Sequence, residues 1–228
     1  MPLFLKAAFF DLHGTLCFIP KPISEEETSD FLVSRGIKIY PQSCRAAHHY
    51  VAMIDYPKHG YGDWFSFVRQ ILYRLHARID DETLRQLSSL MEERNTYEMY
   101  PDALKAIMEV KALGLKTAVI TTIAGFRFEK ALRTVEDGID LVVDGYTARC
   151  EKSNPKMSRV ALRRLGIRPQ EIVMIGDEPL VDIKIPKKMG LRTILLDRRN
   201  GTIDKPAEAD GKASPLVQAI DLIKSWLS

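Results

Sequence analysis

The sequence predicts an α/β protein in which a parallel sheet is covered by helices and an all-helical segment is inserted after the first strand. Three observations predict this class. Short, nearly continuous apolar runs recur along the chain, at residues 7–10, 115–121, 139–143, 172–176 and 192–196. After residue 100 these runs alternate with segments of helical periodicity, as parallel strands that are buried on both faces do. Between about residues 18 and 99 no run is typical of a strand.

The first apolar run leads directly into the sequence Asp-Leu-His-Gly-Thr-Leu at residues 11–16. Gly14 allows the chain to turn sharply after the strand. In open α/β sheets, ligands bind outside the carboxyl ends of the strands. Asp11 is therefore a candidate nucleophile or metal ligand, although an aspartate that only caps a turn would look the same in sequence.

The segment from 18 to 99 contains four predicted helices. Ser24 and Glu27 form a capping-box pattern for the first, which ends before Gly36. The others are predicted over 42–55, over 63–77, and from about residue 80 onward. We therefore predict two domains: a core formed by residues 1–17 and 100–228, and a helical lid formed by residues 18–99 over the strand ends.

The remaining helices are predicted between the apolar runs and at the end of the chain. They cover about 102–113, 126–136, 155–165 and 179–189, with a last helix from residue 214. Pro186 lies late in one of these segments and should shorten or kink that helix. The stretch 197–213 is polar and is predicted to be a loop.

Composition excludes several classes of function. Of the 228 residues, 46% are hydrophobic and 28% are charged, as in a globular protein, and the net charge of only +3 does not favour nucleic acid as a partner. No apolar run approaches the roughly 20 residues that span a bilayer. Because the amino terminus has no charged leader before its first apolar segment, we expect a cytoplasmic protein without a membrane partner.

Three further positions follow or face predicted strand ends. Thr121 and the backbone of Thr122 follow the second apolar run, where hydroxyl and N–H groups can hold a phosphate oxygen. Lys152 precedes a helix that begins near Asn154-Pro155. Taken singly, these residues would be an ordinary strand threonine and a solvated surface lysine.

The third position is an acidic pair. Asp177 follows the strand at 172–176, and Asp182 lies five residues further on. Carboxylates at a strand end can bind a divalent cation, whereas acids in the first turn of a helix can equally be stabilised by the helix dipole.

Together, and in this order, the four motifs resemble those of the haloacid dehalogenase-like (HAD) hydrolase superfamily, phosphatase type. The resemblance implies a Rossmann-like core with an inserted all-helical cap of the C1 type. It implies an Mg²⁺-dependent hydrolase of a small phosphorylated metabolite, working as a monomer or homodimer through an aspartyl-phosphate. The roles it implies are catalytic for Asp11, His13, Thr121 and Lys152, substrate-binding for Thr121, Thr122 and Lys152, and metal-binding for Asp11, the His13 carbonyl, Asp177 and Asp182.

His13 departs from the motif of most phosphatases of the superfamily, which have a second aspartate there. The backbone carbonyl that would bind the metal is present with any side chain. An imidazole in place of a carboxyl group, however, changes how a proton can be transferred to the leaving group. We expect Mg²⁺ and Lys152 to favour the neutral imidazole, which is a poor acid. The hypothesis is a weaker phosphatase that prefers aryl or acyl phosphates.

Two alternatives remain open at this point. The 2-haloacid dehalogenases of the superfamily have an aromatic residue in the position of His13 and need no metal. A non-catalytic binding protein of the same fold is the other alternative. Within the inserted segment, Arg45, His49, Tyr61 and Trp64 are candidate specificity residues, although no spacing rule selects them.

Overall fold

The computed structural model describes residues 4–198 and 204–227. The strands of this part of the chain are β1 (Ala7–Phe10), β2 (Cys17–Phe18), β3 (Glu98–Met99), β4 (Lys116–Ile120), β5 (Leu141–Val143), β6 (Ile172–Gly176), β7 (Arg192–Leu196) and β8 (Gly211–Ala213). Its α-helices are α1 (Glu25–Val33), α2 (Pro41–Tyr50), α3 (Tyr56–His59), α4 (Trp64–Arg74), α5 (Asp81–Arg94), α6 (Ala103–Ala112), α7 (Gly125–Leu132), α8 (Gly145–Ala148), α9 (Lys156–Leu165), α10 (Ile185–Lys188) and α11 (Leu216–Leu227). Two π-helical stretches, Val51–Asp55 and Pro179–Lys184, adjoin α2 and α10.

Six of these strands form one parallel sheet in the order β5-β4-β1-β6-β7-β8. The first strand of the chain lies at its centre, where Phe10 is paired with Val119 on one side and Ile175 on the other. The ends of β1, β4 and β6 are therefore level with one another, and the residues that follow them meet at one edge. The predicted α/β class is confirmed.

Alternate side chains of β1 enter different hydrophobic clusters on the two faces of the sheet. Phe10 belongs to the cluster that includes Ile107 of α6 and Ile220 of α11. Phe9 belongs to the opposite cluster, which includes Met157 of α9. Both phenylalanine rings are essentially inaccessible to solvent, so β1 is held from both sides.

Helices α1, α2, α4 and α5 enclose a separate hydrophobic cluster. The predicted capping box of α1 is present, with Ser24 and Glu27 each accepting a backbone N–H of the other. Asp63 and Asp80 cap α4 and α5 through their carboxylates, which sets the starts of these helices near the predicted positions. We propose that these helices form the cap domain expected for residues 18–99, over a core of residues 1–17 and 100–228.

Two short strands correct the expectation of a segment without strands. Cys17 pairs with Met99 and Phe18 pairs with Glu98, in an antiparallel ribbon where the chain leaves and re-enters the sheet. Strands of two residues are too short to produce an alternating pattern that sequence inspection could detect.

Two boundaries also differ from prediction. The helix expected to end at residue 55 continues through the π-helical stretch into α3. The π-helical turn lies just before Pro57, whose missing N–H removes an α-helical hydrogen bond. Strand β8 lies inside the predicted loop 197–213 and pairs with β7. Residues 199–203 of that loop are outside the described residues. None of the described helices is long and apolar enough to cross a membrane.

Phe9→Ala should lower the free energy of unfolding by about 3 to 5 kcal/mol, because it leaves a cavity beside the central strand. Urea denaturation followed by circular dichroism measures this change. Phe4→Ala is the matched control: Phe4 lies just before β1 and is 80% exposed, so its loss should change stability by no more than about 0.5 kcal/mol. Equal effects of the two substitutions would contradict the placement of β1 at the centre.

Candidate active site

The predicted site residues meet at the carboxyl edge of the sheet. Asp11, Thr121 and Asp177 are the first residues after β1, β4 and β6. The backbone N–H of Asp11 donates to the carbonyl of Ile175 at 2.9 Å, which continues the pairing of β1 with β6 past the last strand residue. This edge is therefore rigidly positioned by the sheet itself.

Lys152 joins two of the carboxylates. Its Nζ atom contacts Oδ1 of Asp11 and lies 2.5 Å from Oδ1 of Asp182. The side chain of Lys152 is 9% exposed and that of Asp182 is fully buried. The three residues come from distant parts of the sequence, so this buried ion cluster ties the β1 turn, the loop before α9 and the stretch after β6 together.

A threonine hydroxyl group holds the loop that carries Lys152. The N–H of Lys152 donates to Oγ1 of Thr122 at 3.0 Å. Oγ1 of Thr121 accepts the N–H of Ile123 at 3.2 Å, and the Thr121 side chain is buried beside Asp11 in the same site. Thr122 thus positions Lys152 through its hydroxyl group, a role that the sequence alone does not reveal.

Burial opposes the charged form of every carboxylate in this cluster. It raises the pKa of Asp11, against the opposing effect of Lys152. Burial also raises the pKa of Asp182 to about 7, and burial with the neighbouring Asp182 charge raises the pKa of Asp177 to about 6. For Lys152, burial acts to lower the pKa, but Asp11 and Asp182 outweigh it and the pKa is raised. The lysine therefore stays charged.

Two glycines allow the acidic side chains to approach the backbone. Gly14 has φ +81, and a Cβ atom there would lie 2.3 Å from Oδ2 of Asp177. A Cβ atom on Gly176 would lie 2.3 Å from the carboxyl carbon of Asp182. Any larger residue at either position would displace a carboxylate, so the glycine after β1 serves the acidic cluster as well as the turn.

The acidic cluster has the composition of a site for a hard divalent cation. Asp11, Asp177 and Asp182 each offer an oxygen, and these oxygens lie within 4.8 Å of one another. Oδ1 of Asp177 is buried and accepts no hydrogen bond from a described residue. Lys152 balances only one of the three carboxylates, which leaves two formal negative charges. Mg²⁺ binds such oxygen donors and would supply the missing charge.

Asp182 differs from the other two carboxylates in its contacts. It is held by Lys152 and accepts the backbone N–H of Glu178 at 3.1 Å through Oδ2. The π-helical stretch Pro179–Lys184 turns it back toward the end of β6. Its contacts favour a role in orienting Lys152 over the direct metal binding that the resemblance implies.

His13 lies at the mouth of the cluster, where its side chain is partly accessible to solvent. Its ring meets the ring of Tyr97 edge to face, with centroids 5.7 Å apart. Burial of the imidazole and the nearby Arg127 charge both lower the pKa of His13. The neutral imidazole expected from the sequence is thus favoured. The causes are burial and Arg127, whereas Mg²⁺ and Lys152 are the causes expected from the sequence.

A cavity of about 780 Å³ lies between this edge of the sheet and the inserted helices. Its floor contains Asp11, Thr121 and Lys152, and its upper wall contains His48 and Met53. None of the four candidate specificity residues Arg45, His49, Tyr61 and Trp64 lines it. The wall instead includes Tyr97 and Arg127, which sequence inspection missed because neither belongs to a motif or to a distinctive spacing.

A family model described as haloacid dehalogenase-like hydrolase matches residues 5–190. Glyceraldehyde 3-phosphate phosphatase of Methanocaldococcus jannaschii is 29% identical over 129 residues, which are 55% of this chain and 57% of that protein. Phosphoserine phosphatase of Thermus thermophilus is 28% identical over 138 residues, 59% of this chain and 55% of that protein. The match thus spans little more than half the length of these curated relatives.

Solved structures match over nearly the whole chain. A HAD phosphatase from Thermococcus onnurineus has a TM-score of 0.68 and 21% identity, over 96% of this chain and 98% of that one. A 2-haloacid dehalogenase from Pseudomonas syringae has a TM-score of 0.70 and 19% identity, over 97% of this chain and 99% of that one. At this level of identity the likeness concerns the fold, which these phosphatases and dehalogenases share.

His48 gives the site a testable dependence on pH. Burial, with a smaller effect of Arg127, lowers the pKa of His48 from 6.5 to about 4. Between pH 6.5 and about pH 4, His48 is protonated in the unfolded chain but neutral in the folded protein. The folded protein is therefore most stable, as far as His48 is concerned, above pH 6.5, and it loses this stability as the pH falls from 6.5 through 4. The stability of wild type relative to His48→Gln should decrease by about 2 kcal/mol from pH 7 to pH 4.5 in urea denaturation.

The control is His49→Gln, which changes the exposed histidine next in sequence. Because the His48 imidazole is still present, His49→Gln should show a similar decrease in stability relative to His48→Gln over this pH range. A pH-independent effect of His48→Gln would show that the imidazole is not excluded from solvent as the structure places it.

Proposed function

The chain belongs to the haloacid dehalogenase-like hydrolases, and we propose that it is an Mg²⁺-dependent phosphoric-monoester hydrolase that forms an aspartyl-phosphate on Asp11. The observation that carries this proposal is the buried cluster of Asp11, Lys152, Asp177 and Asp182 at the floor of one cavity. The phosphatase names of the curated relatives support the same class, with a small phosphorylated metabolite as substrate.

In this proposal a carboxylate oxygen of Asp11 attacks phosphorus, and the bond to the alcohol or phenol oxygen breaks. Water then cleaves the acyl phosphate, which releases phosphate and regenerates the carboxylate. Lys152 remains charged beside Asp11 and stabilises the negative oxygens of the transferred group. The hydroxyl of Thr121 and the backbone N–H of Thr122 are the proposed further donors to these oxygens.

Asp11, Asp177 and the carbonyl of His13 would hold Mg²⁺, while Asp182 keeps Lys152 in place. When bound, the cation supplies positive charge that offsets the carboxylates and the phosphoryl oxygens. Oδ1 of Asp177 has no hydrogen-bond partner among the described residues, which supports this assignment. Burial and the neighbouring acidic charges raise the pKa of Asp177, and a bound cation would favour its ionised form. The ionised form of Asp177 is then the one that functions.

His13 occupies the position from which a leaving group would receive its proton. Because burial and Arg127 lower the pKa of His13, the imidazole is neutral near pH 7 and is a weak proton donor. We therefore propose that the enzyme favours phosphate esters whose leaving oxygen needs little protonation, such as aryl and acyl phosphates. A neutral imidazole can still accept a proton from the water that attacks the aspartyl-phosphate.

A metal-free dehalogenase is the alternative that shares this fold. It would also use Asp11 as nucleophile, on carbon in place of phosphorus. The three clustered carboxylates do not favour it, because an unbalanced acidic cluster would repel a haloacid carboxylate. Chloride release from 2-chloropropionate in the presence of EDTA, without phosphatase activity, would support this alternative.

The first test is hydrolysis of p-nitrophenyl phosphate with Mg²⁺ and with EDTA. Wild type should be active only with Mg²⁺, and Asp11→Asn should lose activity by at least about 10³-fold, because it removes the nucleophile. Asp30→Asn, an exposed aspartate of α1, is the matched control and should keep full activity. Activity that persists in Asp11→Asn or in EDTA would exclude the proposed mechanism.

The second test concerns the leaving group. The ratio of the rate with phenyl phosphate to the rate with ethyl phosphate should be larger in wild type than in His13→Asp. The reason is that a carboxylic acid at this position can protonate the alkoxide that leaves from ethyl phosphate. Steady-state kcat for both esters in both proteins gives the two ratios. A preference for ethyl phosphate in wild type would contradict the role given to His13.

A further inference from the structure

Arg127 is a cation in the cavity wall without a counter-charge. Its guanidinium forms no hydrogen bond or ion pair with any residue that the structure describes, and its Nε atom is buried without a partner. Burial lowers the pKa of Arg127 below its ordinary value, which reflects the cost of a charge removed from water. Unpaired buried charges are expensive, and proteins seldom keep them unless something pairs with them.

Aromatic rings form the surroundings of this guanidinium. Its central carbon lies 5.2 Å from the ring centre of Trp64, 5.9 Å from that of Phe67 and 6.0 Å from that of Tyr97. Trp64 and Phe67 belong to α4 of the inserted helices, whereas Arg127 belongs to α7 of the core. These rings fix the side chain in place but supply no formal charge, so an anion is still needed to balance it.

None of the acidic side chains that line the cavity pairs with Arg127 in the part of the chain that the structure describes. Lys152 is held by Asp11 and Asp182. Glu151 accepts the hydroxyl of Ser153 at 2.5 Å, and Glu25 lies 3.7 Å from Arg45. Asp177 and Glu178 also line the cavity, and neither forms an ion pair with Arg127. Since none of these groups pairs with Arg127, a ligand that enters the cavity is the remaining source of negative charge within the described part of the protein.

The position of Arg127 places such a ligand next to the reaction centre. Arg127, His13 and Asp11 line the same cavity, and His13 is two residues from the nucleophile. The ring centre of Tyr97 lies 6.0 Å from the guanidinium carbon of Arg127 and 5.7 Å from the ring centre of His13, so Tyr97 contacts both sides. One small molecule can therefore reach both groups within the same cavity.

We propose that Arg127 binds a carboxylate of the substrate while the phosphoryl group of the same molecule lies at Asp11. The substrates are then small phosphorylated carboxylic acids. This inference rests on the proposed phosphatase function and adds the identity of the second group that the enzyme recognises. A planar guanidinium matches a carboxylate with two parallel hydrogen bonds.

A carboxylate fits the charge at this wall better than a second phosphate. Arg127 supplies one positive charge, and its neighbour His48 adds none, because burial together with Arg127 lowers the pKa of His48 to about 4. A carboxylate carries one negative charge, whereas a phosphate monoester carries nearly two near pH 7. A second phosphate would leave negative charge unbalanced at this wall.

Binding of phosphonates tests this inference without turnover. With Mg²⁺ present, wild type should bind 3-phosphonopropionate about 10- to 100-fold more tightly than propylphosphonate, which has a methyl group in place of the carboxylate. Arg127→Met should abolish that preference, and Arg127→Lys should keep part of it. Isothermal titration calorimetry measures all of these affinities. Equal affinities in wild type, or a preference that survives in Arg127→Met, would overturn the inference.

Propane-1,3-diphosphonate separates the two kinds of anion. It should bind more weakly than 3-phosphonopropionate, and tighter binding would overturn the carboxylate assignment in favour of a second phosphate. Arg69→Met is the matched control, since Arg69 also stacks on an aromatic ring of α4 but is exposed and outside the cavity. It should leave every affinity unchanged, and a change equal to that of Arg127→Met would reveal a structural effect only.

Turnover distinguishes failure of this inference from failure of the phosphatase proposal. Wild type should have a KM for 3-carboxyphenyl phosphate about tenfold or more below that for 3-carbamoylphenyl phosphate, and Arg127→Met should remove the difference. If p-nitrophenyl phosphate is hydrolysed but the two esters have equal KM values, only the carboxylate inference fails. If no ester is hydrolysed and neither phosphonate binds, both proposals fail.

Discussion

The buried contact of Lys152 with Asp11 and Asp182 is the interaction on which the site depends. A lysine and two carboxylates that are removed from water are tolerable only if they remain in contact, because each alone would carry a large desolvation cost. The contact therefore fixes the turn after β1, the loop before α9 and the stretch after β6 relative to one another. It also keeps Lys152 charged and brings Asp11 and Asp177 close enough to share a cation.

The sheet makes this contact possible. Because β1 lies between β4 and β6, the residues after these three strands emerge side by side. Glycine on both sides of the cluster, at positions 14 and 176, leaves room for carboxylates to lie against the backbone. The antiparallel ribbon of β2 and β3 then carries the chain into and out of the inserted helices directly above this edge, which creates the cavity.

Charge is distributed unevenly in that cavity. Its floor has more carboxylates than cations, whereas its wall has Arg127, which no described residue pairs with, and a neutral His48 beside it. A divalent cation with the phosphoryl group at the floor, and a carboxylate at the wall, would balance both ends with one substrate. The same Arg127 lowers the pKa of His13, so the residue proposed to select substrates also weakens the proton donor. Selectivity and leaving-group preference are thereby coupled through one side chain.

The sequence by itself determined the sheet, the inserted helices and the positions of Asp11, Thr121, Lys152 and Asp177 at strand or loop ends. These features depend on local patterns: apolar periodicity, helix caps and glycine turns act over a few residues. Only the tertiary structure decided that Arg127, Tyr97 and His48 face the same cavity, that Thr122 holds the lysine loop, and that short strands β2, β3 and β8 pair. Such contacts join residues far apart in the chain, and packing, with its exclusion of water and counter-charges, selects them without any local signal.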